Sequence, residues 1–91
     1  MDTAKQAEAQ PKPEIGVLYN GATERFRFKA NEKIEKLLKE AIADFGIVDN
    51  QHLLSLYTEA GVELGDESKL GDTGVKAGDR LVLRPGVVKG G

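Results

Sequence analysis

The sequence predicts an α+β fold, with a mixed sheet of four to five strands packed on one main helix. Three observations lead there. Two alternating apolar/polar segments, Glu14 to Tyr19 and Thr23 to Lys29, flank an Asn20-Gly21 pair. A single long stretch, from Asn31 to Phe45, carries apolar residues at helical spacing. A glycine-rich polar stretch, Gly65 to Gly78, then leads into a short apolar run, Leu81-Val82-Leu83. Strands, one helix and more strands, with a long connection before the last, describe a helix laid across one sheet rather than alternating βα units.

Each element follows from its residues. In the first segment Ile15, Val17 and Tyr19 share one face, the period-two signature of a half-buried strand. Asn and Gly both tolerate positive φ, which a two-residue hairpin turn requires at its centre. In the second segment Phe26 and Phe28 point one way, and Arg25, Arg27 and Lys29 the other. A hairpin with one apolar face needs a cover. The helix supplies it: Ile34, Leu37, Leu38, Ala41, Ile42 and Phe45 recur at spacings of three and four, while Lys33, Lys36, Lys39 and Glu40 form the solvent side. Asn31 is the expected N-cap, with Glu32 and Glu35 in the first turn where the helix dipole favours acids. Gly46 is the expected left-handed residue that ends the helix. A connection over Ile47 to Gln51 leads to a third strand, His52 to Thr58, with Leu54 and Leu56 on one face and Leu53, Ser55 and Tyr57 on the other. Glu59-Ala60-Gly61 turns the chain into a very short strand, Val62 to Leu64. The stretch Gly65 to Gly78 reads as a long shaped loop with two buried anchors, Leu70 and Val75. Asp79 or Arg80 opens the last strand. If that strand pairs with the first in parallel, one sheet closes around the helix, which is the β-grasp arrangement.

Composition narrows the function. Ninety-one residues make one small domain. Hydrophobic residues are 40% and charged residues 31%, the balance of a globular chain with a polar surface. The 13 basic and 15 acidic residues are mixed along the chain, so no basic stripe suggests nucleic acid, and no apolar run is long enough to span a bilayer. With no cysteine there is no disulfide, thiolate nucleophile or cysteine zinc site. Met1 to Pro13 is polar and ends Pro-Lys-Pro, with no apolar segment of a signal peptide. It is expected to be a disordered arm, and the setting cytoplasmic.

No catalytic constellation stands out, and the chain is not expected to be an enzyme or to hold a cofactor or metal. His52 is the sole histidine, and neither serine, Ser55 or Ser68, has a base beside it in the pattern. Asp66 and Glu67 read as a solvated acidic loop, since paired carboxylates do acid–base work only where their environments separate their pKa values. Gly71, Gly74 and Gly78 have the wrong spacing for a phosphate loop and precede a strand, not a helix.

The distinctive chemistry lies past the last strand, in Pro85-Gly86-Val87-Val88-Lys89-Gly90-Gly91. Pro85-Gly86 reads as a turn. Val87 and Val88 favour extended backbone. Lys89 is either a recognition charge or a solvated lysine. Gly90 and Gly91 lack Cβ atoms and so can enter a passage that larger residues would block. Such an end would present its carboxylate to another enzyme, or else be a frayed terminus. The divisions expected are an arm over 1–13, a domain over 14–84 and a tail over 85–91.

From about Ile15 onward the chain resembles ubiquitin-like proteins. The residues that carry the resemblance are Leu53 to Tyr57, Ala60-Gly61, Val62 to Leu64, the acidic loop at Gly65 to Glu67, Leu70, Val75, and Gly78-Asp79-Arg80-Leu81-Val82-Leu83 before the diglycine. It is nearest to bacterial ubiquitin-like modifiers that accompany ligation-type enzymes. The sulfur carriers of thiamine and molybdopterin synthesis close in a similar way, with Gly78-Asp79, then Pro85, then Gly90-Gly91. The resemblance implies a ubiquitin-like β-grasp fold and a monomer. It implies conjugation through Gly90 and Gly91, and partners in an E1-like activating enzyme, E2-like and JAB-type protease enzymes and target proteins. Arg84 would be the tail arginine that activating enzymes inspect. Val82 and Tyr57 would mark the exposed apolar patch, whose character Ser55 breaks. Val87, Val88 and Lys89 would contact partners along the tail. Lys29, Lys33, Lys36, Lys39, Lys69 and Lys76 are candidate acceptors for chain building. A sulfur carrier, forming a thiocarboxylate at Gly91, and a ubiquitin-like interaction module that is never conjugated are the alternative readings.

Overall fold

The structure is a computed structural model and describes residues 13–86. Five strands, β1 (Glu14–Tyr19), β2 (Ala22–Arg27), β3 (Leu54–Thr58), β4 (Glu63–Leu64) and β5 (Arg80–Pro85), form one sheet in the order β2-β1-β5-β3-β4. One helix, α1 (Ile34–Asp44), lies over it. The central pair β1 and β5 is parallel, with Gly16 opposite Arg80 and Leu18 opposite Val82, and the other pairings are antiparallel. This is the topology expected from the sequence.

The hairpin forms as predicted. Asn20 and Gly21 sit at φ 51° and 86°, so β1 and β2 pair from Tyr19–Ala22 to Glu14–Arg27. Inward residues of the sheet, Ile15, Val17, Leu54, Leu56, Leu64, Leu81 and Leu83, meet Ile34, Leu37, Leu38, Ala41 and Ile42 of α1, and all are buried. At the far end of the helix the Phe45 ring packs on Tyr19, centroids 5.3 Å apart.

The C-terminal stop of α1 also matches. Gly46 has φ 69°, its N–H donates to the Ala43 carbonyl at 3.1 Å, and the Ile47 N–H reaches back to Ile42 at 3.1 Å. Together these are the paired bonds of a Schellman motif. The N-terminus differs from expectation. The helix begins at Ile34, with Lys33 in the cap position and no side-chain cap, so Asn31 does not cap it. The cap comes instead from the long loop. The Ile34 N–H donates to the Ser68 carbonyl at 2.8 Å and the Glu35 N–H to the Asp66 carbonyl at 3.1 Å. Two orphan donors of the first turn are thus satisfied by main chain more than 30 residues on. The loop is tied back in turn, Leu70 N–H to the Glu32 carbonyl and Gly71 N–H to the Ala30 carbonyl, both at 2.8 Å. Its anchors are those predicted: Leu70 is fully buried in a single 3-10 turn, Leu70–Asp72, and Val75 is buried beyond it.

Strand limits also shift: β2 runs over Ala22–Arg27 rather than Thr23 to Lys29, and β4 starts at Glu63 rather than Val62. Gln51–Leu53 forms a 3-10 turn, so β3 starts at Leu54 rather than His52. Pro85-Gly86 does not turn. Pro85 is the last residue of β5, opposite Leu54, and the Gly86 N–H donates to the Leu53 carbonyl at 2.7 Å. Proline is tolerated because β1 pairs β5 only from Arg80 to Val82, which leaves the other flank of β5 an edge at Pro85.

Candidate functional site

The candidate conjugation and partner-binding positions lie on β3, β5 or the residues after β5, so the candidate site is the sheet face opposite α1 and the end of β5. The candidate acceptor lysines lie elsewhere, Lys36 and Lys39 on α1, Lys29 and Lys33 just before it, and Lys69 and Lys76 in the long loop. The pleat fixes what that face shows. With Leu81 and Leu83 turned inward, Arg80, Val82 and Arg84 stand on the outer side of β5. Ser55 and Tyr57 stand beside them on β3, Ser55 opposite Arg84 and Tyr57 opposite Val82. Leu18 of β1 lies opposite Val82 on the other flank, and Glu63 of β4 opposite Tyr57.

Val82 and Leu18 are half-buried, and Arg84 is exposed. Tyr57 departs from expectation. Predicted as part of an exposed apolar patch, it is only 3% exposed. The cause is Arg84, whose guanidinium carbon sits 3.8 Å from the centre of the Tyr57 ring, while the Tyr57 hydroxyl donates to the Pro85 carbonyl at 3.4 Å. Delocalised, weakly hydrated guanidinium stacks well on an aromatic face. The surface here is therefore cationic and polar, with Ser55 where an aliphatic patch would need an apolar side chain.

The face carries further charge. Arg80 holds the Glu59 carboxylate through Nε at 2.9 Å and Nη2 at 2.7 Å. Gly16, with no side chain, floors an open trough of about 790 Å³ between Arg25 and Arg80, and Glu14 and Asp79 also line it. Such exposed pairs stabilise little, but they give the face both signs of charge.

At the end of β5 the surprise is Gly86. Read from sequence as half of a turn, it extends the β3 pairing, and the side chains of Ser55, Tyr57 and Glu63 close around its α-carbon. The only signal in the sequence was the glycine itself, whose need is close approach rather than a turn. Val87, Val88, Lys89, Gly90 and Gly91 lie outside the described residues. Among the described residues no cluster of three or more His, Cys, Asp or Glu could hold a metal ion, and no helix is long and apolar enough to cross a membrane.

No protein-family model matches this sequence, and no curated protein matches it. Solved structures do match in shape. A de novo design based on ubiquitin aligns with a TM-score of 0.71 at 23% identity, over 90% of this chain and 99% of that one. The fold is the ubiquitin-like β-grasp. A solution structure of an N-terminal ubiquitin-like domain aligns at 0.68 and 18% identity, over 87% of this chain and 79% of that one. A crystal structure of ATBAG1 in complex with HSP70 also aligns at 0.68 and 18%, over 80% of this chain, which spans 40% of the matched chain. At these identities the likeness is one of fold. This chain thus shares its fold with these proteins and differs from them in most of its side chains.

Proposed function

We propose that this ubiquitin-like domain is a protein modifier, joined to target amines through the carboxyl group of Gly91. The observation that carries the reading is the Gly90-Gly91 pair, four and five residues past Gly86, the last described residue, which is bonded to the sheet. In this reading an E1-like enzyme uses ATP to convert the carboxylate to an acyl-adenylate, releasing pyrophosphate. An amine then displaces AMP and forms the amide, or a thiol of the enzyme displaces AMP first and the amine afterwards releases that thiol. The chain itself supplies a recognisable body and a narrow end. The modifier works in the cytoplasm of a bacterium, with E2-like and JAB-type enzymes adding and removing it.

The test is expression of the tagged chain in its host, with and without Gly90-Gly91. Boiling-resistant adducts that map to Gly91 linked to a lysine are expected from the full chain and none from the truncated one. The intact mass of the recovered protein reports whether Gly91 bears the carboxyl group in the cell. A gain of about 16 Da there, oxygen replaced by sulfur, would reassign the chain as a sulfur carrier.

A second reading has its own support. One structural neighbour is described as an N-terminal ubiquitin-like domain, and another was solved in complex with HSP70. A ubiquitin-like domain that only docks onto other proteins would keep its function after loss of Gly90-Gly91, and that result would favour it over the modifier.

A further inference from the structure

We propose that Ser55, Tyr57 and Glu63 form a slot that holds residue 86 against β3, and that glycine fits there without displacing their side chains. This deepens the modifier reading and rests on it for its use. A Cβ at position 86 would lie 2.8 Å from Ser55 Oγ, 3.1 Å from Glu63 Oε2 and 3.4 Å from Tyr57 Oη. Two side-chain oxygens, Ser55 Oγ and Glu63 Oε2, thus stand closer than ordinary contact to the place of one methyl group, with Tyr57 Oη just touching it. Below, the Gly86 N–H is bonded to the Leu53 carbonyl at 2.7 Å. Alongside, Tyr57 is itself held by the Arg84 guanidinium and by the Pro85 carbonyl. Gly86 needs no positive φ for this, so its role is clearance rather than conformation.

Fixing residue 86 sets a reach. Residues 87–91 extend at most ~17 Å at ~3.3–3.6 Å each. An enzyme acting on Gly91 must then open its active site within that distance of the slot. A chain released from Pro85 onward would reach two residues further. The slot is thus a positioning device for the diglycine, and its walls are positioning residues, not catalytic ones.

The experiment is amide hydrogen exchange by NMR on the full chain, with Leu56 and Leu83 amides reporting the intact sheet. In the parent, the Gly86 amide should be protected like a strand amide. Gly86→Ala should lower protection at residue 86 by roughly tenfold or more while leaving Leu56 and Leu83 unchanged. Adding Ser55→Ala removes the nearest oxygen and should restore most of that protection. Insertion of two glycines after Gly86 should leave it as in the parent. An unprotected Gly86 amide in the parent, full protection in Gly86→Ala, or no rescue by Ser55→Ala would each overturn the slot. The readout needs no conjugating enzyme. Protection and rescue without any Gly91 adduct in the host would uphold the slot and sink the modifier reading. Undiminished adduct formation by a Gly86→Ala chain that has lost protection would overturn the positioning role and leave the modifier standing.

Discussion

The stitch between the long loop and the start of α1 invites a direct test, because one missing methyl group makes it possible. Gly71 is pressed against the backbone of Ala30. A Cβ there would lie 2.8 Å from Ala30 Cβ, 3.1 Å from its carbonyl oxygen and 3.2 Å from its Cα. None of these is the end of a flexible side chain, so no rotamer change makes room. For Gly71→Ala the nearest gap must open from 2.8 Å to the 3.4 Å of ordinary contact. That movement stretches the bond from Gly71 N–H to the Ala30 carbonyl, now 2.8 Å, past the usual limit of ~3.2 Å. Overpacking costs about 1–3 kcal/mol, and a weakened main-chain bond adds about 0.5–1.5 kcal/mol. Against this, alanine restricts the unfolded chain, a gain of about 0.4–1 kcal/mol. The net expectation is a loss of about 1–3 kcal/mol, or a fall in Tm of about 5–20 °C for a domain of this size. Urea denaturation followed by circular dichroism measures it. Gly65→Ala is the control, since its Cβ would meet only Ser68 Oγ at 3.7 Å. Equal stability of Gly71→Ala and the parent would refute the account, as would equal damage in the control.

Three further outcomes follow from the same structure. Leu70→Ala empties a fully buried site and should cost about 2–5 kcal/mol by urea denaturation, with the loop around it exchanging faster. Gly21→Ala puts a Cβ at φ 86° in the hairpin turn and should cost about 1–2 kcal/mol, read as a lower Tm. Arg84→Ala should remove about 0.5–1 kcal/mol of stacking on Tyr57 and expose its ring. A double-mutant cycle with Tyr57→Leu isolates that coupling, and zero coupling would show the stack to be idle.

What could be read from the sequence was whatever is decided locally. Asn20-Gly21 forces its own turn, the stripe from Ile34 to Ile42 defines its own face, and Gly46 stops the helix by backbone conformation alone. Leu70 and Val75 stood out because large apolar residues in a polar loop have nowhere else to go. The errors arose where distant chain intervenes. Asn31 is a good cap by residue type, but the carbonyls of Asp66 and Ser68 reach the first turn of α1 and make a side-chain cap unnecessary. Pro85-Gly86 looks like a turn, yet β3 offers Leu53 and Leu54 as partners, and β1 has already fallen away. Alternation placed Tyr57 on the outer face correctly but could not show that Arg84 covers it. Of the candidate site, the nearness of Val82 to Tyr57 was implied by the resemblance, while the place of Arg84 over Tyr57 and the close fit of Gly86 were not legible.

These contrasts bear on why a recognisable fold coexists with so little sequence likeness. The bonds that set this topology are largely main-chain: the strand ladders, the Schellman closure at Gly46 and the four bonds between the Asp66–Gly71 stretch and the Ala30–Glu35 stretch. Such bonds are indifferent to side chains, provided the inward positions stay apolar. A match of 0.71 in shape at 23% identity is what that indifference allows. The same indifference means the frame does not select a partner. On the outer face Arg84 covers Tyr57 beside Ser55 and Glu63, with Leu18 and Val82 half-buried next to them. A partner that buried the exposed Arg84 guanidinium without a paired acceptor would have to desolvate its charge. A partner suited to this chain would instead bring a carboxylate or a polar rim to Arg84 and a narrow channel to the end of β5.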